Sequence, residues 1–489
     1  MGHRLRHPGA QLFIDGRWLN GSSDEVIPVI NPALGELIGE VRCAAAKDVA
    51  AAIAAAEAGF YEWRKVAAFE RYRSLQHVAS NLRARAEALG ALVTLEEGKP
   101  LAESTREVLS AADIVEWCAE EARRAYGRTI PARLENVLQM ELKEPVGVVA
   151  AFSPWNLPIS QATRKLAAAL AAGCSIVLKA PQDAPASCAG LVAAFADAGI
   201  PNGAINLLFG DPAELATALI SHPTIRKVSF TGSTSVGKQL AMLAGRYMKR
   251  TTMELGGHAP ALVFADAYLD SAAAILCANK YRNAGQLCVA PTRILVQEPV
   301  YRRFIEKFLD RVKMIKVGDG SAAETSMGPL VRQRRVDAME AFVADAIAHG
   351  ASLAAGGRRI HERGYFFAPT VLTEVPIDAR VMNEEPFGPV ALVSPFADFA
   401  EAIREANRLP YGLAAYAYTT SAVTAAAVSR AVESGMISIN HHGLGLPEVR
   451  FGGVKDSGHG TEGGADAIEA YMNTKYVTEA FSVAPGAIT

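Results

Sequence analysis

Apolar residues recur every three or four positions over 47–60 and again over 67–125, among Ala, Leu, Glu and Arg. That spacing predicts helices in both segments. The stretch VLQMELKEPVGVVAAF then switches to β-branched runs, so strands are expected from near residue 136. From 145 to 265 the pattern alternates. VGVVAAF (146–152), SIVLKA (175–180), INLLFG (205–210) and KVSFTG (227–232) are short continuous apolar runs, as strands buried on both faces are. Between and after them lie QATRKLAAALAA, a segment over 185–199, ELATALIS and TSVGKQLAMLAG, all helical in character. Strands alternating with helices predict right-handed crossovers and a parallel, doubly wound α/β sheet.

Further along, 270–285 reads as helix, RILVQ (293–297) as a strand, and 300–314 and 331–350 as helices. The region 365–440 alternates once more and predicts a second α/β unit. The tail, AYMNTKYVTEAFSV, has strand character.

Composition narrows the function. The 489 residues are 50% hydrophobic and 20% charged, enough for more than one sizeable core. A net charge of −2 gives no sign of a nucleic-acid or acidic-membrane partner. The six cysteines (43, 118, 174, 188, 277, 288) show no paired spacing, which points to a reduced, cytoplasmic protein without a disulfide framework. At the N-terminus, Asp15 and Arg17 interrupt an apolar stretch too short for a signal peptide. The apolar window from Leu166 to Val177 is too short for a membrane span.

Several segments carry candidate chemistry. FTGSTSVGKQ (230–239) nearly matches a phosphate loop, but Gln239 stands where a magnesium-binding hydroxyl is needed. Its other reading is a strand running into a helix whose N-terminus cradles a dinucleotide pyrophosphate. In FSPWNLPIS (152–160), Pro154 and Pro158 set a turn, and Asn156 could stabilise an anion; read alone, Asn156 is a turn residue. In MELGGHAP, Glu254 is either salt-bridged or a base with a raised pKa, and Gly256-Gly257 permits close approach of a ligand or backbone. Cys288 in YRNAGQLCVAPTR follows Gly285-Gln286 at a helix-to-loop junction. A free cysteine there is a nucleophile or a small core residue. His441, His442 and His459 lack metal-ligand spacing and read as solvated loop residues, so no metal is expected. His258 is the nearest histidine that could serve a cysteine hydrolase, and no signature supports that role.

Taken together, PWN, FTGSTSVGK, MELGGHAP, GQLC, EEPFGPV and FGGVKDSGHGTEGG resemble the aldehyde dehydrogenase superfamily, in order and from about residue 12 to 480. The nearest likeness is to succinate-semialdehyde and 2-oxoglutarate-semialdehyde (2,5-dioxopentanoate) dehydrogenases. The resemblance implies a Rossmann-like NAD(P)-binding domain (1–121 and 145–256), an α/β catalytic domain (257–460) and a small β bridging arm (122–144 and 471–489). Such an arm leaves a strand edge for a partner, so a homodimer or homotetramer is expected.

By the same resemblance, Cys288 is the nucleophile, passing through a thiohemiacetal and a thioester. Asn156 and the Cys288 N–H hold the oxyanion, where one donor is typically worth about 2.7–4 kcal/mol. Glu254 activates the hydrolytic water, and Lys165 and Glu462 match a proton relay. Lys179 and Glu385 match ribose ligands, and Phe387 packs near the nicotinamide. Trp155, Gly232 and Ser233 match the adenosine-phosphate side. Gln182 stands where the family often carries a glutamate that favours NAD. A neutral amide does not repel a 2′-phosphate, so either NAD or NADP is expected.

Arg164 and Arg282 match the positions that hold a distal carboxylate, a task suited to the planar guanidinium. The implied reaction is oxidation of a semialdehyde, succinate semialdehyde first, with 2-oxoglutarate or glutarate semialdehyde or a broader aldehyde range as alternatives. Gly445 replaces the serine usual six residues before FGG, so the 441–450 loop departs from that pattern.

Overall fold

The apolar runs become the middle of an eight-stranded sheet in the computed structural model, which describes residues 7–481. Five parallel strands lie in the order Ile205–Leu208, Ser175–Lys179, Val148–Phe152, Ile225–Thr231, Arg250–Glu254. The chain enters at Val148–Phe152, winds to one edge, then returns to the other side. Winding reverses between Val148–Phe152 and Ile225–Thr231, where an open α/β sheet takes its ligand at the strands' carboxyl ends. Every residue of Val148–Phe152, Ser175–Lys179 and Ile205–Leu208 is buried, because helices cover both faces. The Ser160–Ala172 helix is also buried throughout, and Gly173 ends it in the left-handed region at φ 91°.

Antiparallel strands complete this sheet. Leu12–Ile14 and Arg17–Leu19 close one side, and Gly458–His459, from late in the chain, pairs with Met253 and Glu254 on the other. A second sheet runs Ser352–Ala355, Thr370–Thr373, Val390–Phe396, Arg293–Gln297, Pro260–Val263, Ala414–Tyr418, Met436–Ile439, all parallel except the first. Each sheet has its own apolar core, and the first also takes in Ile468, Tyr471 and Met472. A third sheet holds Arg128–Ile130, Val137–Pro145 and Met472–Ala480, with long strands paired from Met472↔Pro145 to Ala480↔Val137. No helix among the described residues is long and apolar enough to cross a membrane.

The helical segment over 67–125 is divided into three helices, Ala68–Ala84, Ala86–Glu97 and Leu101–Ala122. The second break falls at Gly98-Lys99-Pro100, where Gly98 takes φ 89° and proline prevents a continuous helix. Strands also begin well before 136. Leu12–Ile14, Arg17–Leu19, Val26–Asn31, Glu36–Arg42 and Arg128–Ile130 are too short or too polar to stand out as runs. The first six residues, and the tail beyond Phe481, lie outside the described residues.

Candidate active site

The Leu269–Tyr281 helix gives way to a 3-10 turn at Arg282–Gly285 that delivers Cys288 between the two sheets. Asn283 (φ 47°) and Ala284 (φ 51°) sit in the left-handed region, which L-residues adopt only when their surroundings fix them. Three residues hold the turn in a closed ring of hydrogen bonds. Asn283 Nδ2 donates to Asn156 O, Gln286 N to Asn283 O, and Asn156 Nδ2 to Gln286 O. Asn156 is thereby fixed beside the cysteine, with its second amide hydrogen still available. On the opposite side, a Cβ on Gly257 would stand 2.6 Å from Cys288 O, so the glycine pair of MELGG admits the nucleophile loop.

Glu254 ends its strand with Oε1 3.6 Å from Cys288 Sγ. Burial, followed by the Glu254 and Glu385 charges, pushes the thiol well above its ordinary range. The resting sulfur is therefore protonated, with a carboxylate beside it. Glu254 is itself raised, first by burial and then by the Glu462 charge. Thr231 Oγ1 lies 3.2 Å from both carboxylates and accepts a hydrogen bond from Lys165 Nζ at 2.7 Å. Lys165 also bonds Glu462, and this ion pair, with Arg164 nearby, holds Glu462 ionised and below the usual range. One carboxylate is thus kept charged and the other is poised to exchange a proton.

Cys288 is reached from two sides. On one, a cavity of about 220 Å³ is lined by Arg164, Arg282, Leu287, Val289, Leu446 and Phe451, among others. Arg164 is nearly buried and lies over the Phe451 ring, and it donates to Glu462 O at 2.8 Å and Gly445 O at 2.7 Å. Two of its five N–H groups are thereby used. Arg282 is exposed, and its charge faces Glu103. Both arginines therefore stand in the chamber that ends at the thiol.

On the other side, a cavity of about 310 Å³ is lined by Trp155, Asn156, Gly232, Ser233, Glu385 and Phe387 together with Cys288. Phe387 meets Trp155 edge to face at 5.6 Å. Glu385 accepts from Gly257 N, and burial pushes its carboxyl up to about 7. An outer cavity of about 670 Å³ lies at the carboxyl ends of the strands, lined by Phe152, Lys179, Phe230, Val236 and Leu240. Lys179 is buried there without a hydrogen-bonding partner among the described residues, and burial pushes it down to about 8. An ammonium in this position fits the hydroxyls of a bound ribose.

Together the two cavities fit an extended dinucleotide. The Thr234–Arg246 helix lies between them, with Ser233 at its N-terminus facing one cavity and Val236 and Leu240 facing the other. Trp155, Gly232 and Ser233, expected on the adenosine-phosphate side, line the Cys288 end. They follow the ends of Val148–Phe152 and Ile225–Thr231, the two strands between which the winding reverses. Gln182 lines neither cavity, and its amide donates to Gly210 O at 3.3 Å.

The near-match to a phosphate loop dissolves in the structure, because Lys238 pairs with Asp456 at the surface. His258 is buried, donates to Val381 O through Nε2, and is held far below its ordinary pKa by burial and Arg293. The solvated-loop reading of the late histidines fails for His442, which stacks on Tyr416 with ring centroids 4.6 Å apart. The cause is tertiary, since the strands Ala414–Tyr418 and Met436–Ile439 are neighbours. Sequence reasoning also missed Thr231, the hydroxyl joining the two glutamates. Its signal was available, as the last residue of a strand that ends at a ligand crevice. Among the described residues no group of three side chains could hold a metal ion.

Residues 18–477 match the model of the aldehyde dehydrogenase family. The chain is 47% identical to the 4-(hydroxymethyl)benzenesulfonate dehydrogenase of Comamonas testosteroni, covering 96% of this chain and 97% of the relative. It is 41% identical to the NADP-dependent succinate-semialdehyde dehydrogenase of Escherichia coli over the same shares. The crystal structure of an NAD-dependent aldehyde dehydrogenase from Sinorhizobium meliloti superposes with a TM-score of 0.96 at 35% identity, covering 100% of this chain and 98% of the other.

Proposed function

The chain belongs to the aldehyde dehydrogenase family, and from that premise we propose that this NAD(P)-dependent enzyme oxidises an aldehyde carrying a distal carboxylate, succinate semialdehyde first. The observation that carries the proposal is the placement of Arg164 and Arg282 in the cavity that ends at Cys288. Leu287, Val289 and Leu446 line the same cavity, which suits an apolar spacer between the aldehyde and the anion. Glutarate and 2-oxoglutarate semialdehydes carry the same two ends. A second reading, an aldehyde bearing a sulfonate, is favoured by the 47% identical relative, whose name includes a benzenesulfonate.

The chemistry follows from the side chains. Glu254 Oε1 takes the thiol proton as the aldehyde arrives, and the sulfur attacks the carbonyl carbon. The free hydrogen of Asn156 Nδ2 and the Cys288 amide meet the developing oxyanion. A bound nicotinamide dinucleotide would supply the hydride acceptor, and loss of hydride to it would leave a thioester on Cys288. Lys179 and Glu385 would hold its riboses, and Trp155 and Phe387 its ring. Glu254 sheds the thiol proton and, ionised again, deprotonates the water that releases the acid. Thr231 links Glu254 to the Glu462 carboxylate, which receives the proton beside the Lys165 ammonium. Gln182 leaves NADP acceptable beside NAD. The outer strands of the three-stranded sheet each pair on one side only, which supports a homodimer or homotetramer joined there.

The test is a panel of succinic, glutaric and 2-oxoglutaric semialdehydes, an aromatic aldehyde sulfonate and neutral hexanal, each with NAD and NADP. The anionic aldehydes should exceed hexanal by orders of magnitude in kcat/KM, and the ranking among them names the substrate. Equal turnover of hexanal overturns the anion reading.

A further inference from the structure

We propose that His442 and Tyr416 are positioning residues for the nucleophile: the imidazole holds the phenol, and the phenol holds the carbonyl of Val289, the residue after Cys288. Tyr416 lies in the second sheet with none of its surface exposed, and its hydroxyl donates to Val289 O at 2.6 Å. His442 lies flat against it, with 14° between the ring planes, and Nε2 is 3.4 Å from the same hydroxyl.

The hydrogen count fixes the direction of the string. The phenol proton is committed to Val289 O, so its oxygen is left to accept, and Nε2 must carry the imidazole hydrogen. Nδ1 is then bare, and Nδ1 is the buried nitrogen without a partner. Burial and the nearby Arg282 push His442 down to about 4, so the ring stays neutral and keeps this single tautomer at working pH.

Two further contacts show what the string supports. A turn closed by Ala290 N and Leu287 O brackets Cys288 and Val289. The Cys288 carbonyl rests against Gly257, where a Cβ would come within 2.6 Å. The nucleophile is thus gripped on one side by Gly257 and on the other by the Tyr416 hydroxyl. The segment that presents His442 also presents Gly445, whose carbonyl holds Arg164. A single loop therefore braces the sulfur and one of the arginines facing it.

The inference rests on Cys288 being the nucleophile, so Cys288→Ala is assayed beside the test variants. Residual oxidation in Cys288→Ala would remove that premise, separately from anything Tyr416 does. Tyr416→Phe leaves Val289 O without its donor and should lower kcat about 10- to 100-fold, the range expected when reacting atoms are misplaced by a fraction of an ångström to an ångström. KM should change less than about threefold, for hexanal and the anionic aldehydes alike, because the loss is in positioning. The rate of Cys288 alkylation by iodoacetamide should fall in parallel; the other five cysteines are buried. His442→Phe keeps the stacked ring but removes the donor. It should give a smaller fall in kcat, and the double variant should be no worse than Tyr416→Phe. Cofactor affinity and the melting temperature serve as controls for the fold. If Tyr416→Phe does not fold, His442→Phe decides by the same kcat and alkylation readouts. The proposal is overturned if kcat stays within twofold of the parent, if the alkylation rate is unchanged, or if the loss appears only as a higher KM for anionic aldehydes.

Discussion

Replacing Glu462 with glutamine should move the pH at which the enzyme gains activity downward by about 1–2 units. Thr231 Oγ1 is 3.2 Å from an oxygen of each glutamate. The two carboxylates are therefore no more than roughly 6 Å apart, and at an effective dielectric of about 20 their repulsion is about 3 kcal/mol, or about 2 pKa units. Lys165 sits on Glu462 and cancels part of that repulsion in the parent, which sets the lower bound near 1 unit. In Glu462→Gln the ammonium loses its carboxylate, and its charge then favours ionised Glu254, which acts in the same direction. The sign follows from the role. Glu254 works as a carboxylate, so activity rises with pH through its raised pKa, and a lowered pKa brings the rise to lower pH. The assay is kcat against pH at saturating aldehyde and cofactor, read as reduced-nicotinamide absorbance. Cys288 alkylation measured over the same pH range separates the thiol's own ionisation. A limb that stays in place or moves up would refute the electrostatic coupling.

Four other outcomes are expected. Cys288→Ala should abolish aldehyde oxidation while leaving cofactor affinity within about twofold, since the sulfur carries the covalent step and not the dinucleotide; a titration and a turnover assay check both. Gln182 holds Gly210 O, two residues before the cavity-lining Pro212, and Gln182→Glu should reduce kcat/KM with NADP several-fold relative to NAD, because a carboxylate near the cavity repels a 2′-phosphate; an unchanged ratio would place Gln182 away from the phosphate. Lys165→Met should cost about 3–5 kcal/mol of stability, the penalty for leaving one member of a buried ion pair alone, and thermal melting should register the loss. Gly257→Ala should lower kcat through the clash with Cys288 O, with cofactor affinity less affected.

Most of the first sheet was legible because burial on both faces leaves continuous apolar runs. The strand expected at RILVQ is the strand found, Arg293–Gln297. The early strands were not legible. Leu12–Ile14 is three residues long, and its partner, Ile205–Leu208, lies almost two hundred residues away. Periodicity marked 67–125 as helical, and the second break inside it falls where Gly98 and Pro100 stand. In the site, the thiol, the glutamate and the asparagine were named by their motifs, and the fold gathers them around one cavity junction. What no motif could supply was the environment. Thr231 joins two acids only because strand ends converge, Ala284 takes a left-handed conformation its type does not suggest, and His442 finds Tyr416 on a neighbouring strand.

The strand that finishes the first sheet, Gly458–His459, and the acid that neutralises Lys165 both come from the end of the chain. Glu462 leaves the ribosome about 200 residues after Glu254, a wait of about 10–40 s at ordinary rates of synthesis. Throughout that interval the nascent first half holds an ammonium destined for a site with none of its surface exposed, and its ion-pair partner Glu462 does not yet exist. Closing over an unpaired cation is costly. The first sheet therefore gains its full stability only when the last strand and its acid have been synthesised.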